Sequence, residues 1–555
     1  MHSQLSPRDR YAAAAIALLA LTGLAYGWSR FWFLTDDAFI SFRYISNSVA
    51  GYGYVWNAPP FRPVEGYTSF LWVFLLDLVW RISGVMPPAS ANPIALIFAM
   101  ANLLLCLLML LRVAQGRLRA VALPLAALAL IGLITNRTFL AWTSSGLETA
   151  MFNFFITLWV YVTLCLPYHS PRWAFGISAA AALTALTRPD GLLLVAVSGG
   201  LLGLSLIVTW RTLRPWYLAW AFPLLVVPAH LLWRHAFYSE WLPNTYFAKS
   251  TTEVDRAQSG SYYLLSFIIE YGLWLWLALA LVTAAVLLMR ARRELGTSFA
   301  LLASAAVTSA MLFHLFYYTR LIGGDHFEFR VYSHLVPLIF ISFVWMLSNL
   351  RLRPALALGL LGLFVLLSWP VQWTHWAASQ RYTTRAETKF LEIAVADEFA
   401  RLAPATPEPI LSYLRWYDAM QFWLIDHAVG MRHQEHKIFH FDQIASYNPR
   451  GLPPPPPTGP GIPLMKFSSV GVVSWNHPWL NIIDTVGLND YVVARNPDLS
   501  GVNLMAHERQ PPPGYIDCFT PEFWVRSQEI LYIPPERVIS CENEFWAKAR
   551  AGNRE

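Results

Sequence analysis

The chain has 555 residues, of which 56% are hydrophobic and 15% aromatic but only 13% charged, with a mean hydropathy of +0.41. Soluble domains carry about 25% charged residues, so this composition excludes an ordinary water-soluble protein and describes an integral membrane protein. The formal net charge of +6 does not signal nucleic acid, because the arginines are spread through short loops between apolar runs and form no basic face.

A bilayer core needs about 20 apolar residues per helix, and on that template the sequence predicts about eleven spans. They lie near 11–28, 92–111, 120–136, 149–166, 173–187, 191–209, 216–235, 262–289, 298–318, 331–349 and 354–371. Arg8 and Arg10 precede the first span, which runs straight into a polar loop, so it is read as an uncleaved signal anchor. The segment 67–83 is apolar but short and carries Asp77 and Arg81. Laid along the interface instead of across it, this segment puts Arg112, Arg117, Arg119, Arg172, Arg211, Arg214, Arg290, Arg292, Arg293, Arg351 and Arg353 on the side of Arg8 and Arg10. The positive-inside rule makes that side cytoplasmic.

The other side then collects the unusual polar residues. The first loop, 29–91, carries Asp36, Asp37, Arg43, Arg62 and Glu65. Loop 136–148, the turn Arg188-Pro189-Asp190-Gly191, loop 236–261 with Asn244 and Lys249, and loop 319–330 with Asp325, His326 and Arg330 share that face with the tail. This divides the chain into a transmembrane domain, residues 1–371, and an extracytoplasmic C-terminal domain, residues 372–555.

In the tail, 377–402 reads as a polar helical stretch, the Pro-Gly run 452–463 as extended loop, and 470–475 and 490–496 as short strands, together a small mixed α/β domain. Cys106 and Cys165 fall in apolar runs as core residues. Cys518 and Cys541 lie in the tail and pair as a disulfide if that compartment is oxidising.

Polar groups converging on one membrane face from many loops describe an extracytoplasmic active site or binding crater. Glycosyl transfer from a lipid-linked phosphate needs a base for the acceptor hydroxyl and cations for the departing phosphate. Asp36 and Asp37 open an interfacial helix capped by Thr35 or Asp36, and a helix N-terminus favours the ionised carboxylate. Either aspartate is therefore a candidate base, although a capping role alone accounts for both. Arg188 and Asp190 in a tight turn can neutralise each other, a lysine such as Lys249 near a span end often snorkels, and the paired glycines Gly323-Gly324 before Asp325 also fit a plain turn.

Other motifs fail. Gly51-Tyr52-Gly53 lacks the context of a nucleotide loop, the spacing of His433, His436 and His440 fits a solvated helix face better than zinc, and Asn136-Arg137-Thr138 is a frequent triplet. Metal ligands stay unassigned. A second carboxylate beside the base can hold a divalent cation, orient its neighbour, or do neither.

The ordered series DDAFISFRYISNSVAGYGYVWN, VEGYTSFLW, TSSGLETAMF, LTRPDGLLL, LPNTYFAK, GGDHFEFR and DTVGLNDYVVAR, running from residue 34 to about 508, resembles the polyprenyl-phosphate-dependent glycosyltransferases of the GT-C superfamily. Within them it is most similar to the mycobacterial terminal β-(1→2)-arabinofuranosyltransferases and to Gram-negative, pilin-modifying arabinosyltransferase relatives. The resemblance implies a GT-C fold with interfacial helices in the first outer loop and a catalytic aspartate at Asp36 or Asp37. It also implies a polyprenyl-phosphate sugar donor, D-arabinofuranose, and a glycan, lipopolysaccharide or pilin acceptor in the cell envelope, reached from a bacterial inner membrane. The substrate contacts expected beside the base are Arg43, Arg62, Glu65, Arg188, Asp190, Asn244, Lys249, Asp325, His326 and Arg330. A mannose or other hexose donor, and a flippase of lipid-linked sugars, remain the alternatives.

Overall fold

A computed structural model describes residues 6–210, 215–249, 256–291, 298–427, 429–430, 432–447, 461–499, 509–520 and 530–552. Helix α1 (Pro7–Phe31) starts where the Ser6 hydroxyl accepts the N–H of Asp9 and Pro7 presets the backbone. Two shorter helices follow, α2 (Asp36–Val49) and α3 (Phe70–Ser83). With 14 residues, α3 is about 21 Å long and too short to cross a bilayer. Its Phe74, Leu78 and Ile82 form an exposed stripe at i, i+4 spacing, while buried Asp77 accepts hydrogen bonds from Tyr54 and Arg81 on the other side. Its length and exposed stripe are those of the short, non-spanning helix expected here.

The bundle continues through α4 (Pro87–Val113), α5 (Gly116–Ile134), α6 (Arg137–Thr143), α7 (Thr149–Cys165), α8 (Pro171–Thr187), α9 (Pro189–Thr209) and α10 (Trp216–Tyr238). It closes with α11 (Arg256–Glu270), α12 (Trp274–Arg290), α13 (Phe299–Ile322), α14 (Arg330–Asn349) and α15 (Pro354–Ser379). Among the described residues, eight helices are long and apolar enough to span: α1, α4, α5, α9, α10, α13, α14 and α15. Helices α7 and α8 have 17 residues each, the short end of a spanning length. The expected single span 262–289 is two helices, α11 and α12, meeting at 95° where Gly272 takes φ +59°. The protein is thus a multi-pass, mostly helical membrane protein.

Among the described residues, the end of α4 after Arg112, the end of α12 with Arg290 and the end of α14 before Arg351 lie together. The N–H of Gln115 donates to the Ser348 hydroxyl, and Arg290 donates to the carbonyl of Asn349. The start of α4 lies at the opposite end, where the Asn92 amide donates to the Phe33 carbonyl just after α1.

Beyond α15 come α16 (Val395–Leu402), α17 (Glu408–Asp426) and α18 (His433–Tyr447), so the expected helical stretch 377–402 is broken after Ser379. A three-stranded sheet follows, with β1 (Ile462–Phe467) central, parallel to β2 (Asn481–Asp484) and antiparallel to β3 (Leu531–Ile533). Residues 470–475 and 490–496, read as strands, are instead the helices α19 (Val470–Asn476) and α20 (Tyr491–Arg495). Short apolar runs do not distinguish the two periods, and here carboxylates decide. Asp36 accepts the first N–H groups of α19, and Asp490 caps α20. A small core around Leu464, Val492, Tyr515 and Val538 joins the sheet to α21 (Tyr515–Phe519) and α22 (Pro535–Gly552). A Cys518–Cys541 disulfide links those two helices. Of the proline-rich stretch, residues 452–460 lie outside the described residues.

Candidate active site

The site begins with a cap. Thr35, not Asp36, is the N-cap of α2, its hydroxyl accepting the N–H of Ala38 at 3.1 Å. Both aspartate side chains are therefore released from capping their own helix. Asp36 instead accepts two hydrogen bonds from the tail, from the N–H groups of Gly471 (3.0 Å) and Val472 (2.8 Å). Gly471 is required there, because a Cβ would sit 1.9 Å from the Asp36 carbonyl oxygen. Burial raises the Asp36 carboxyl to about 6, against the opposing pull of those two amides. Asp37, partly exposed, makes no side-chain hydrogen bond or ion pair among the described residues.

Lys249 brings the other motifs to this pair. Its ammonium is held below the ordinary lysine range, first by burial and then by Arg330 and Arg188, while Asp37 and Asp325 pull the other way. The residue nevertheless reaches solvent, as a side chain lining a wet crater does. Like Asp37, Lys249 has no side-chain partner among the described residues. The mutual influence gathers five expected residues, Asp37, Arg188, Lys249, Asp325 and Arg330, around one crater, with Asp36 beside them.

The crater walls are tightly built. Gly323 and Gly324 take φ +89° and +107°, and a Cβ on Gly324 would touch the Tyr263 ring at 3.0 Å. That close approach positions Asp325, which accepts from Arg330 Nε at 2.8 Å and lies 3.4 Å from His326 Nδ1. Burial alone would raise the Asp325 carboxyl, but Arg330 and His326 hold it well below the usual range. The Arg330 guanidinium also lies 4.2 Å over the Phe327 ring. In the neighbouring turn Arg188 donates to Asp190 (3.0 Å), Glu148 (2.8 Å) and the Tyr318 hydroxyl (3.1 Å), and Tyr318 donates to Asp190 at 2.6 Å. Glu148 and Tyr318 are members of this wall that the motif reading does not single out. Glu148 lies in TSSGLETAMF, so its motif carried the signal.

Four expected substrate contacts have other work. Arg43 is fully buried and spreads its guanidinium over the carbonyls of Trp56, Ser474, His477, Pro478 and Leu480. It clamps the tail to α2. Arg62 donates to Asn543 and lies 5.0 Å over the Trp546 ring. Glu65 pairs with Arg234 at 2.6 Å. The Asn244 amide donates to the carbonyls of Gly487, Leu488 and Asp490, which docks LPNTYFAK onto the tail motif DTVGLNDYVVAR. Each is committed to a partner far away in sequence, which the chain order does not reveal. His433, His436 and His440 are also buried, against Phe33, Phe327 and Phe39, and do not form the expected solvated face. Asn136 is a buried N-cap of α6, not an exposed glycosylation acceptor. Among the described residues no three His, Cys, Asp or Glu side chains converge as a metal site.

No protein-family model matches the chain. A terminal β-(1→2)-arabinofuranosyltransferase of Corynebacterium glutamicum is 28% identical over 359 residues, covering 59% of this chain and 50% of that protein. The chain thus matches about half the length of this curated relative. The crystal structure of ArnT from Cupriavidus metallidurans bound to undecaprenyl phosphate superposes with a TM-score of 0.50 at 14% identity, covering 88% of each chain. The chain therefore shares the fold of ArnT. The chain is thus similar in sequence to an arabinofuranosyltransferase over part of its length, and similar in fold to ArnT over most of it.

Proposed function

We propose that this protein is a membrane glycosyltransferase that moves D-arabinofuranose from a polyprenyl-phosphate donor to a hydroxyl of an extracytoplasmic glycan or glycoprotein. The observation that carries this reading is the convergence of Asp37 with Lys249, Arg188, Asp325 and Arg330, next to Asp36, at the end of the bundle away from the arginine-rich loops. The C. glutamicum relative supports the sugar, and the lipid phosphate bound to ArnT supports the donor class. By the positive-inside rule the N-terminus is cytoplasmic, so the crater and the tail, residues 372–555, face outward over the transmembrane domain, residues 1–371.

In this mechanism Asp36 takes the proton from the acceptor hydroxyl as its oxygen attacks the anomeric carbon. The bond from that carbon to the phosphate oxygen breaks, and the polyprenyl phosphate leaves with the electron pair. Lys249, Arg188 and Arg330 stabilise the negative charge that builds on the leaving group. A carboxyl near 6, fixed by two backbone amides, is ionised at neutral pH and still basic enough to accept the proton. Asp37 faces the cations and sets the charge of the donor pocket.

The test is transfer from a synthetic polyprenyl-phosphate arabinose by Asp36→Asn and Asp37→Asn, with folding followed separately. General-base loss lowers turnover about 10²–10⁴-fold. Full activity in Asp36→Asn moves the base to Asp37, and full activity in both variants removes the mechanism. A donor screen read by mass spectrometry separates arabinose from hexose, and covalent transfer from transport.

A further inference from the structure

The two long tail helices α17 and α18 each touch the end of a long apolar helix of the bundle, α18 that of α1 and α17 the start of α12. On α18, His433 Nε2 lies 3.1 Å from the Phe31 carbonyl and Lys437 Nζ donates to the Arg30 carbonyl at 3.4 Å. Those carbonyls belong to the last turn of α1, which leaves acceptors unpaired and presents the negative end of the helix dipole. His433 and Lys437 are four residues apart and share one face of α18, and the same stripe continues to Phe441 and Ile444. Phe441 is 47% exposed and Ile444 38%. A stripe whose first half sits on the end of a spanning helix aims its second half at whatever surrounds that helix at the same depth. Tyr26, 69% exposed near the same end of α1, marks that surrounding as lipid.

The contact on α17 repeats the arrangement independently. The Tyr413 hydroxyl accepts from Trp274 Nε1 at 2.6 Å, and Trp274 is the first residue of α12. Ile410 and Trp416 flank Tyr413 one helical turn away on either side and are 48% and 46% exposed, and Trp274 itself is 41% exposed.

The geometry points to a second membrane contact, in which α17 and α18 rest on the bilayer surface with Ile410, Trp416, Phe441 and Ile444 at the headgroup–acyl boundary. Tryptophan and tyrosine at this level, together with a lysine, are the side chains that the interface selects. The occupant is lipid because both patches continue the lipid-facing sides of α1 and α12. The inference needs only that α1 spans and that α11 and α12 together make one broken span, and it does not depend on the sugar chemistry. Its consequence is that α18 fixes the depth of the crater, since Asp36 follows α1 directly.

The experiment uses the full-length protein, one copy per lipid nanodisc, with single cysteines I410C, W416C, F441C and I444C carrying a bimane label. Labelling of the wild-type protein supplies the background from buried Cys106 and Cys165. Nitroxide attached to the lipid near the headgroup is expected to quench all four labels at least twofold, while aqueous iodide quenches them little. Strong iodide quenching without lipid quenching places the patches in water and overturns the proposal. Protection from both quenchers means that protein covers them and overturns it equally.

Discussion

Two clusters of buried charge lie a few residues apart in this molecule, and they are built in opposite ways. In the first, Arg137 donates to Glu270 (3.0 and 2.6 Å) and to Glu328 (2.8 and 2.9 Å), Arg432 donates to Glu328 at 2.6 Å, and Tyr417 donates to Glu270 at 2.6 Å. Two positive and two negative groups balance, and every carboxylate is bonded. In the second, the crater, Asp37 and Lys249 feel each other's charge without a bonded partner among the described residues. Glu328 belongs to the closed cluster and Asp325, three positions earlier on the same loop, to the open one. Charges that hold a fold satisfy each other, whereas charges meant for a ligand keep capacity in reserve. The closed cluster also spans α6, α11, the 323–330 loop and the tail, so it sets the platform on which the open one stands.

That contrast predicts different failures. Glu328→Gln leaves Arg137 and Arg432 buried with one carboxylate fewer, and breaking such a pair costs about 3–5 kcal/mol. The expected outcome is a large fall in detergent melting temperature and in yield of folded protein. Adding Arg432→Met should recover some of the loss, because it removes the stranded charge. No recovery in the double variant would mean that the cluster is not an electrostatic unit.

Lys249→Ala should behave otherwise. Its ammonium is already disfavoured by burial, so its removal is expected to leave the melting temperature within a degree or two of wild type. The donor KM should rise, or kcat fall, by roughly tenfold, equivalent to about 1.4 kcal/mol. If this variant instead melts as low as Glu328→Gln, Lys249 belongs to the frame and the comparison fails.

Much of this was legible in the sequence wherever the signal was local. Apolar runs marked the helices long enough to span, and Asp77 with Arg81 set the short helix α3 apart from them. The crater residues sit in motifs whose glycines, prolines and charges are adjacent in the chain. Pairings made at long range were not legible. Nothing local to Arg43 announces carbonyls more than 400 positions away, and Arg137, inside what reads as a glycosylation triplet, gives no hint of Glu270 or Glu328. The break at Gly272 hid inside a continuous apolar run, since hydropathy does not register a single positive φ. Helix α19 read as a strand because its valines favour one, and the carboxylate that starts the helix comes from the other end of the chain.

The smallest effect expected is also the most diagnostic of the open cluster, because the proposed role of Asp36 gives activity and stability opposite slopes with pH. Its carboxyl titrates near 6 in the folded protein against 3.8 in its absence. Between those values the folded state holds a proton that the unfolded chain has released, so this group's contribution to stability is present at low pH and is lost as pH rises through 6. In the proposed mechanism activity runs the other way, because only the ionised carboxylate can accept the acceptor's proton, and kcat/KM should fall tenfold per unit below about pH 6. Other carboxyls raised by burial, such as Glu542 and Asp490, add to the stability slope, so the measurement is the difference between wild type and Asp36→Asn. The variant should have a flatter melting profile between pH 4 and 6 and a residual rate without the acid limb. An acid limb that survives in Asp36→Asn at full amplitude would assign the titration to another group and leave Asp36 only as the anchor of α19.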